Sequence, residues 1–215
     1  MTNPISGNCR CLKHCRRKFV ICTHSSVIRK GMSRLRFKWQ KAIHAIDYIA
    51  RERPGITQYY IGKILFFADR EHFLDYGRAI TGDRYVAMEH GPVPSAVRDM
   101  LKLDSGYPDE ILDELDARIT IEREGNKQHV YSKMLDYADM LSGSDKEYLS
   151  AAIVRYGSMA FGELKAISHE DPAYVAAWEE AGNANEMDID LWLDQWLDEP
   201  ETAKRQLLEQ TAYSR

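Results

Sequence analysis

Apolar side chains recur along most of this chain at the spacing of one helix face. Between Phe37 and Arg51 they fall at Trp39, Ile43, Ile46 and Ile49–Ala50, which predicts a helix closed by Pro54-Gly55. A second stripe, Ile61, Ile64–Leu65, Ala68 and Leu74, follows Thr57, a residue suited to capping. It runs to about Tyr76, where Gly77 can stop the helix in the left-handed conformation. Its apolar arc is wide, so this helix belongs at the centre of the core.

The period then changes. Ile80-Thr81-Gly82-Asp83 reads as a turn and Arg84–Met88 as a short strand. Gly91-Pro92-Val93-Pro94 interrupts it, before a helix that starts near Pro94 or Ser95 with Val97, Met100 and Leu101 inward. Ile119–Glu122 and Gln128–Met134 flank the turn 124–127 and predict a β-hairpin. Ser144-x-x-Glu147 is a capping box for a helix that turns Leu149, Ala152, Ile153 and Tyr156 inward and ends at Gly157. Phe161, Leu164 and Ile167 mark a shorter helix, and Asp171-Pro172 opens another through Val175 and Trp178. Last, Ile189, Trp192, Leu193, Trp196 and Leu197 follow the spacing i, i+3, i+4, i+7, i+8, the most regular amphipathic pattern in the chain, over Asp188 to Leu197. The order of elements predicts a mainly α (α+β) fold: a helical bundle with a small antiparallel β-sheet or hairpin, loosely winged-helix-like.

Composition agrees with a packed core. Hydrophobic residues make up 44% and charged residues 29%, which excludes a disordered chain. No apolar run approaches the roughly 18 residues of a membrane span, so a membrane partner is not expected. The formal charge of -4 conceals a division. Residues 1–31 hold seven of the 29 basic residues and no acid, so the remaining 22 face all 33 acidic residues, a net of -11. A body of that sign is repelled by nucleic-acid phosphate and suits a basic protein partner. Residues 1–36 read as a basic leader, 37–182 as the folded domain, and 183–215 as an acidic amphipathic helical extension.

All four cysteines, Cys9, Cys11, Cys15 and Cys22, lie in the leader beside His14 and His24. They could ligate zinc, but they are crowded and lack the paired knuckles of a structural site. A disordered basic tail, or translation starting at Met32, explains the leader better. A cysteine-free body fits a reducing cytoplasm.

Seven short blocks then carry a resemblance. Ile64-Leu65-Phe66-Phe67-Ala68-Asp69-Arg70-Glu71-His72 is followed by Tyr76-Gly77-Arg78-Ala79-Ile80-Thr81-Gly82-Asp83, Tyr85-Val86-Ala87 and Gly91-Pro92-Val93-Pro94. Tyr156-Gly157-Ser158, Glu163-Leu164 and Ser168-His169-Glu170-Asp171-Pro172, with Trp178, come later. In order and spacing, from about residue 39 to 180, this resembles the SocA-like antitoxin (Panacea domain) family. The resemblance implies an antitoxin that binds and neutralises a protein toxin encoded nearby. It also implies that such a protein can deliver its toxin to a Clp-type protease.

No catalytic, cofactor or metal set is expected. Asp69, Glu71, His72, Glu89 and His90 could do acid–base work, but no metalloprotease, serine-hydrolase or phosphate-loop motif accompanies them, and a solvated helix face explains them better. The candidate partner-binding residues are Tyr85, Gly91, Pro92, Val93, Pro94, His169, Trp178, Trp192 and Trp196. Each has a structural alternative: proline and glycine can simply shape a turn, His169 can position the helix at Pro172, and the aromatic residues can fill the core. The rival reading is a winged-helix-like DNA-binding transcription regulator. It would use Arg98 and Lys102 of the helix after Pro94, with Arg118, Arg123 and Lys127 of the hairpin.

Overall fold

The structure is a computed structural model, and it describes residues 36–103, 106–134, 140–196 and 199–213. Residues 1–35, with the four cysteines and Met32, lie outside the described residues.

Helix α1 (Trp39–Glu52) buries the stripe Ile43, Ile46 and Ile49. Strand β1 (Ile56–Thr57) leads into α2 (Gln58–Tyr76), whose Ile61, Ile64, Leu65, Phe66, Phe67 and Phe73 are buried. Each such side chain contributes roughly 1.5–3 kcal/mol by leaving water. At the end of α2, Gly77 takes φ 67° and its N–H bonds Phe73 O at 2.8 Å, which is the left-handed stop expected there.

Next come β2 (Tyr85–Met88), β3 (Gly91–Pro94), α3 (Ser95–Leu101), α4 (Asp109–Arg118), β4 (Ile119–Glu124) and β5 (Lys127–Ser132). Then follow α5 (Gly143–Tyr156), α6 (Phe161–His169), α7 (Pro172–Glu179), β6 (Asn185–Glu186), α8 (Asp190–Trp196) and α9 (Pro200–Tyr213). Helix α2 lies among α1, α3, α5 and α8, with the ring of Phe67 stacked 3.9 Å from that of Tyr156 on α5. The fold is mainly helical with two small antiparallel sheets, ordered β1-β5-β4 and β3-β2-β6.

The solvated helix face expected of Asp69 and His72 is not found, since both are fully buried, and two further local expectations change. The Gly91–Pro94 segment does not interrupt the sheet: it is a strand, paired to β2 in the register Val86↔Val93 and Tyr85↔Pro94. Strand β3 is an edge of its sheet, and Ser95 N–H bonds Arg84 O at 2.9 Å. By alternation, Pro94 and Pro92 then turn their main-chain groups away from β2, so no ladder bond needs their absent N–H. Second, the cap of α5 sits two residues earlier than expected. Ser142 accepts from Asp145 N–H and the Asp145 carboxylate accepts from Ser142 N–H. Tertiary charge decides between the two boxes, because Asp145 also receives Lys41 at 2.5 Å and Arg78 at 3.0 Å.

The described part of the segment 183–215 docks on the rest of the fold, with the Asn185 amide donating to Ala177 O at 3.0 Å. Strand β6 pairs with β2 at Val86↔Glu186, and Trp192 of α8 is buried with its ring 5.9 Å from that of Phe66.

Candidate functional site: a cationic groove beside the Gly91–Pro94 strand

Much of the sequence signature is interior scaffolding. Asp69, midway along α2, is fully buried and accepts four bonds: from Ile80 N–H at 2.8 Å, Thr81 N–H at 3.1 Å, the Thr81 hydroxyl at 2.5 Å and the Tyr85 hydroxyl at 2.8 Å. Burial raises its pKa, and those bonds oppose the rise. Asp83 accepts from Ala96 N–H at 3.0 Å and Val97 N–H at 2.9 Å, capping α3 from outside the helix. Burial pushes its carboxyl up to about 6. Asp171 caps α7 through Ala173 and Tyr174 N–H, and also receives Arg70 at 3.1 Å and the Trp192 indole N–H at 3.1 Å. Burial acts to raise the Asp145 carboxyl, but bonds from Lys41, Ser142 and Arg78 outweigh it and hold the group well below the usual carboxylate range. These carboxylates join elements distant in sequence and face little solvent.

A groove of about 770 Å³ lies along the outer side of β3. The first two turns of α2, the β2–β3 turn, α3, the tip of the β4–β5 hairpin and Phe161 of α6 enclose it. Pro92, Val93, Pro94, Val97 and Leu101 give it apolar walls. The rings of Tyr59 and Phe161 stand 4.7 Å apart at one lip, and that of His90 is 5.5 Å from Phe161. Four cationic side chains line it, Lys63, Arg98, Lys102 and Lys127, against one carboxylate, Glu89. The groove therefore reverses the sign of the acidic body around it.

Lys63 is the unusual member. It points inward from α2, is only 2% exposed, and its ammonium donates to Pro92 O at 2.7 Å. No carboxylate ion-pairs with it among the described residues. Burial, and then the neighbouring Lys165, lower its pKa to about 7. The hairpin backbone rests directly on it. Gly91 has φ +95°, and a Cβ there would stand 2.7 Å from Lys63 Nζ and 2.5 Å from Ser168 Oγ, so only glycine fits. Two further polar atoms here are buried without a hydrogen-bond partner among the described residues, the Tyr59 hydroxyl and His169 Nε2. Burial, helped by Lys165, Lys63 and His90, holds His169 below the ordinary imidazole value.

The expected partner-binding residues are therefore dispersed. Pro92, Val93 and Pro94 line the groove, and Gly91 braces it from behind. Tyr85 and Trp192 are 1% and 0% exposed and belong to the interior, where their polar tips meet Asp69 and Asp171. His169 is half-buried with its ring 4.4 Å from that of Tyr174, while Trp178, stacked on the same tyrosine, is 50% exposed. Trp196 lies on α8, and its side chain is outside the described residues. Arg98, a DNA-contact candidate, lies on the groove wall and pairs with Asp99 at 3.4 Å. Among the described residues, no group of three or more His, Cys, Asp or Glu side chains is arranged to hold a metal ion, and no helix is long and apolar enough to cross a membrane.

The sequence model of one family, described as antitoxin SocA-like, Panacea domain, matches residues 61–174. That is more than half of the chain. The chain belongs to the SocA-like antitoxin family. No curated protein and no solved structure matches it. Membership in the SocA-like family supports a role in a toxin–antitoxin system. The Panacea match begins in α2 and ends in α7. It covers Lys63, Asp69, Asp83, the Gly91–Pro94 strand and Asp171, but neither α1 nor Trp192, although both contribute to the same core.

Sequence reasoning passed over Lys63, Tyr59 and Phe161. For Lys63 a signal existed: a lysine between Ile61 and Ile64, inside the apolar arc of the central helix, must either reach solvent or be buried. Tyr59 and Phe161 looked like ordinary helix positions, and only the packing of α6 against β3 brings them to one lip.

Proposed function

We propose that this SocA-like protein is an antitoxin that acts in the cytoplasm by binding a cognate protein toxin encoded nearby, covering its working surface without catalysing a reaction. The match to the antitoxin family over residues 61–174 carries this reading. The groove supports it, because it combines apolar walls, aromatic lips and unshared polar atoms, the makings of an interface centre. Phe161, at 46% exposure, offers an aromatic anchor at its lip. Co-expression tests the reading: the neighbouring reading frame alone should arrest growth, this chain should relieve the arrest, and the two products should co-purify. Growth arrest that persists in the presence of this chain rejects it.

Delivery of the bound toxin to a Clp-type protease belongs to the same proposal as a second activity. Its signature is a toxin half-life that shortens in the presence of this chain, and only in cells with the protease.

A further inference from the structure

Taking the groove as the face that meets the toxin, we infer that it accepts an acidic, apolar segment of that partner, with a carboxylate entering beside Lys63 and apolar side chains lying between the β3 prolines and Phe161. Three observations converge. An ammonium has three N–H donors, and Lys63 uses one, on Pro92 O. The charged group that acts on it is another cation, Lys165, its neighbour His169 is in turn disfavoured as a cation by Lys165, Lys63 and His90, and no carboxylate among the described residues ion-pairs with Lys63. A buried charge without a counter-charge is costly, and an incoming carboxylate supplies both the charge and the acceptors. The Tyr59 hydroxyl, buried and unpartnered nearby, is a further donor available to it, and so is His169 Nε2 in the tautomer that carries its proton there.

The outer edge of β3 narrows the choice of partner. Pro92 and Pro94 have no N–H to offer, and Pro92 O is already taken by Lys63, so a partner strand finds little main chain to pair with. Recognition must therefore come through side chains. A nucleic acid would also bring anions, but it would approach a body of net charge -11 with its charge spread along a backbone, whereas the deepest cation here sits behind apolar walls.

Two arms test this. In the first, the isotope-labelled full chain is titrated with the hexapeptide Leu-Glu-Phe-Glu-Leu-Asp and, separately, with its Gln/Asn counterpart, following backbone amide shifts. The acidic peptide should move Gly62 and Gly91 saturably and bind at least tenfold more tightly than the neutral one. Lys63→Met should abolish that preference, and Tyr59→Phe, which removes only a hydroxyl, should reduce it. Equal binding of the two peptides, shifts away from the groove, an acid preference retained in Lys63→Met, or preferential displacement by a DNA oligomer would each overturn the inference. The second arm measures the co-encoded toxin against the wild-type chain and Lys63→Met. If the toxin binds both equally, the antitoxin reading stands and the acidic-segment inference falls. If the peptide behaves as expected and no toxin binds, the groove chemistry stands and the antitoxin reading falls.

Discussion

Buried charge is handled in opposite ways on the two sides of α2. Around Asp69 every acceptor is used: two main-chain N–H groups, a threonine hydroxyl and a tyrosine hydroxyl converge on one carboxylate. One turn and a half earlier, Lys63 is equally hidden, and its ammonium has one hydrogen-bond acceptor, Pro92 O, and the face of the Tyr59 ring 5.3 Å away. Both residues lie within the family match, and both look like charges misplaced on an apolar helix. The first has the bonding of a structural staple, because a fully satisfied buried group ties its loop in one arrangement. The second keeps unused bonding capacity in an open groove.

Replacing members of the two sets should separate them. The largest effect is expected for Asp69→Ala. It strands three donors and the Tyr85 hydroxyl in the interior, a loss of about 4 kcal/mol or more by denaturant unfolding. Trp192→Ala should come next, at about 3–4 kcal/mol, because it empties a core site and takes one donor from Asp171. A loss under about 1 kcal/mol would show that α8 is dispensable to the fold.

Lys63→Met should go the other way, leaving stability unchanged or raising it by about 1–2 kcal/mol at pH 7. The wild-type pH profile carries the same signature. The folded pKa of Lys63 is near 7, below the ordinary 10.5, so between those values the unfolded chain holds a proton that the folded chain has released. Stability should therefore rise from pH 7 toward pH 10, by up to about 1.4 kcal/mol per unit, and Lys63→Met should flatten that rise. The smallest effects on the fold belong to the exposed aromatics. Phe161→Ala and Trp178→Ala should each change stability by no more than about 0.5 kcal/mol, while a true anchor loses at least about 2 kcal/mol of toxin binding.

Legibility in the sequence followed how local each signal was. Helices α1, α2 and α7 could be read because their stripes and stops involve neighbours a few residues apart: Pro54-Gly55 after the first, Gly77 after the second, Asp171-Pro172 before the third. The α5 cap could not be placed, since two boxes overlap at Ser142 and Ser144 and the choice rests on Lys41 and Arg78, far away in the chain. Likewise Gly91-Pro92-Val93-Pro94 read as a break, because proline spoils a strand unless that strand is an edge, and edge position is a property of the whole sheet. The groove was the least legible, as its lips come from α2 and α6, about 100 residues apart.

By itself, then, the amino-acid order determined a helical protein with a central apolar helix, an acidic body, and a set of motifs specific enough to place it in its family. Periodicity and short motifs are local, so they survive in a one-dimensional string. Only the tertiary structure decided which of those motif residues are interior braces and which line an open groove. Tyr85 and Trp192 went inside while Pro92 and Val93 came to line a groove, because burial and hydrogen-bond satisfaction depend on what packs alongside, and that is set when distant segments meet.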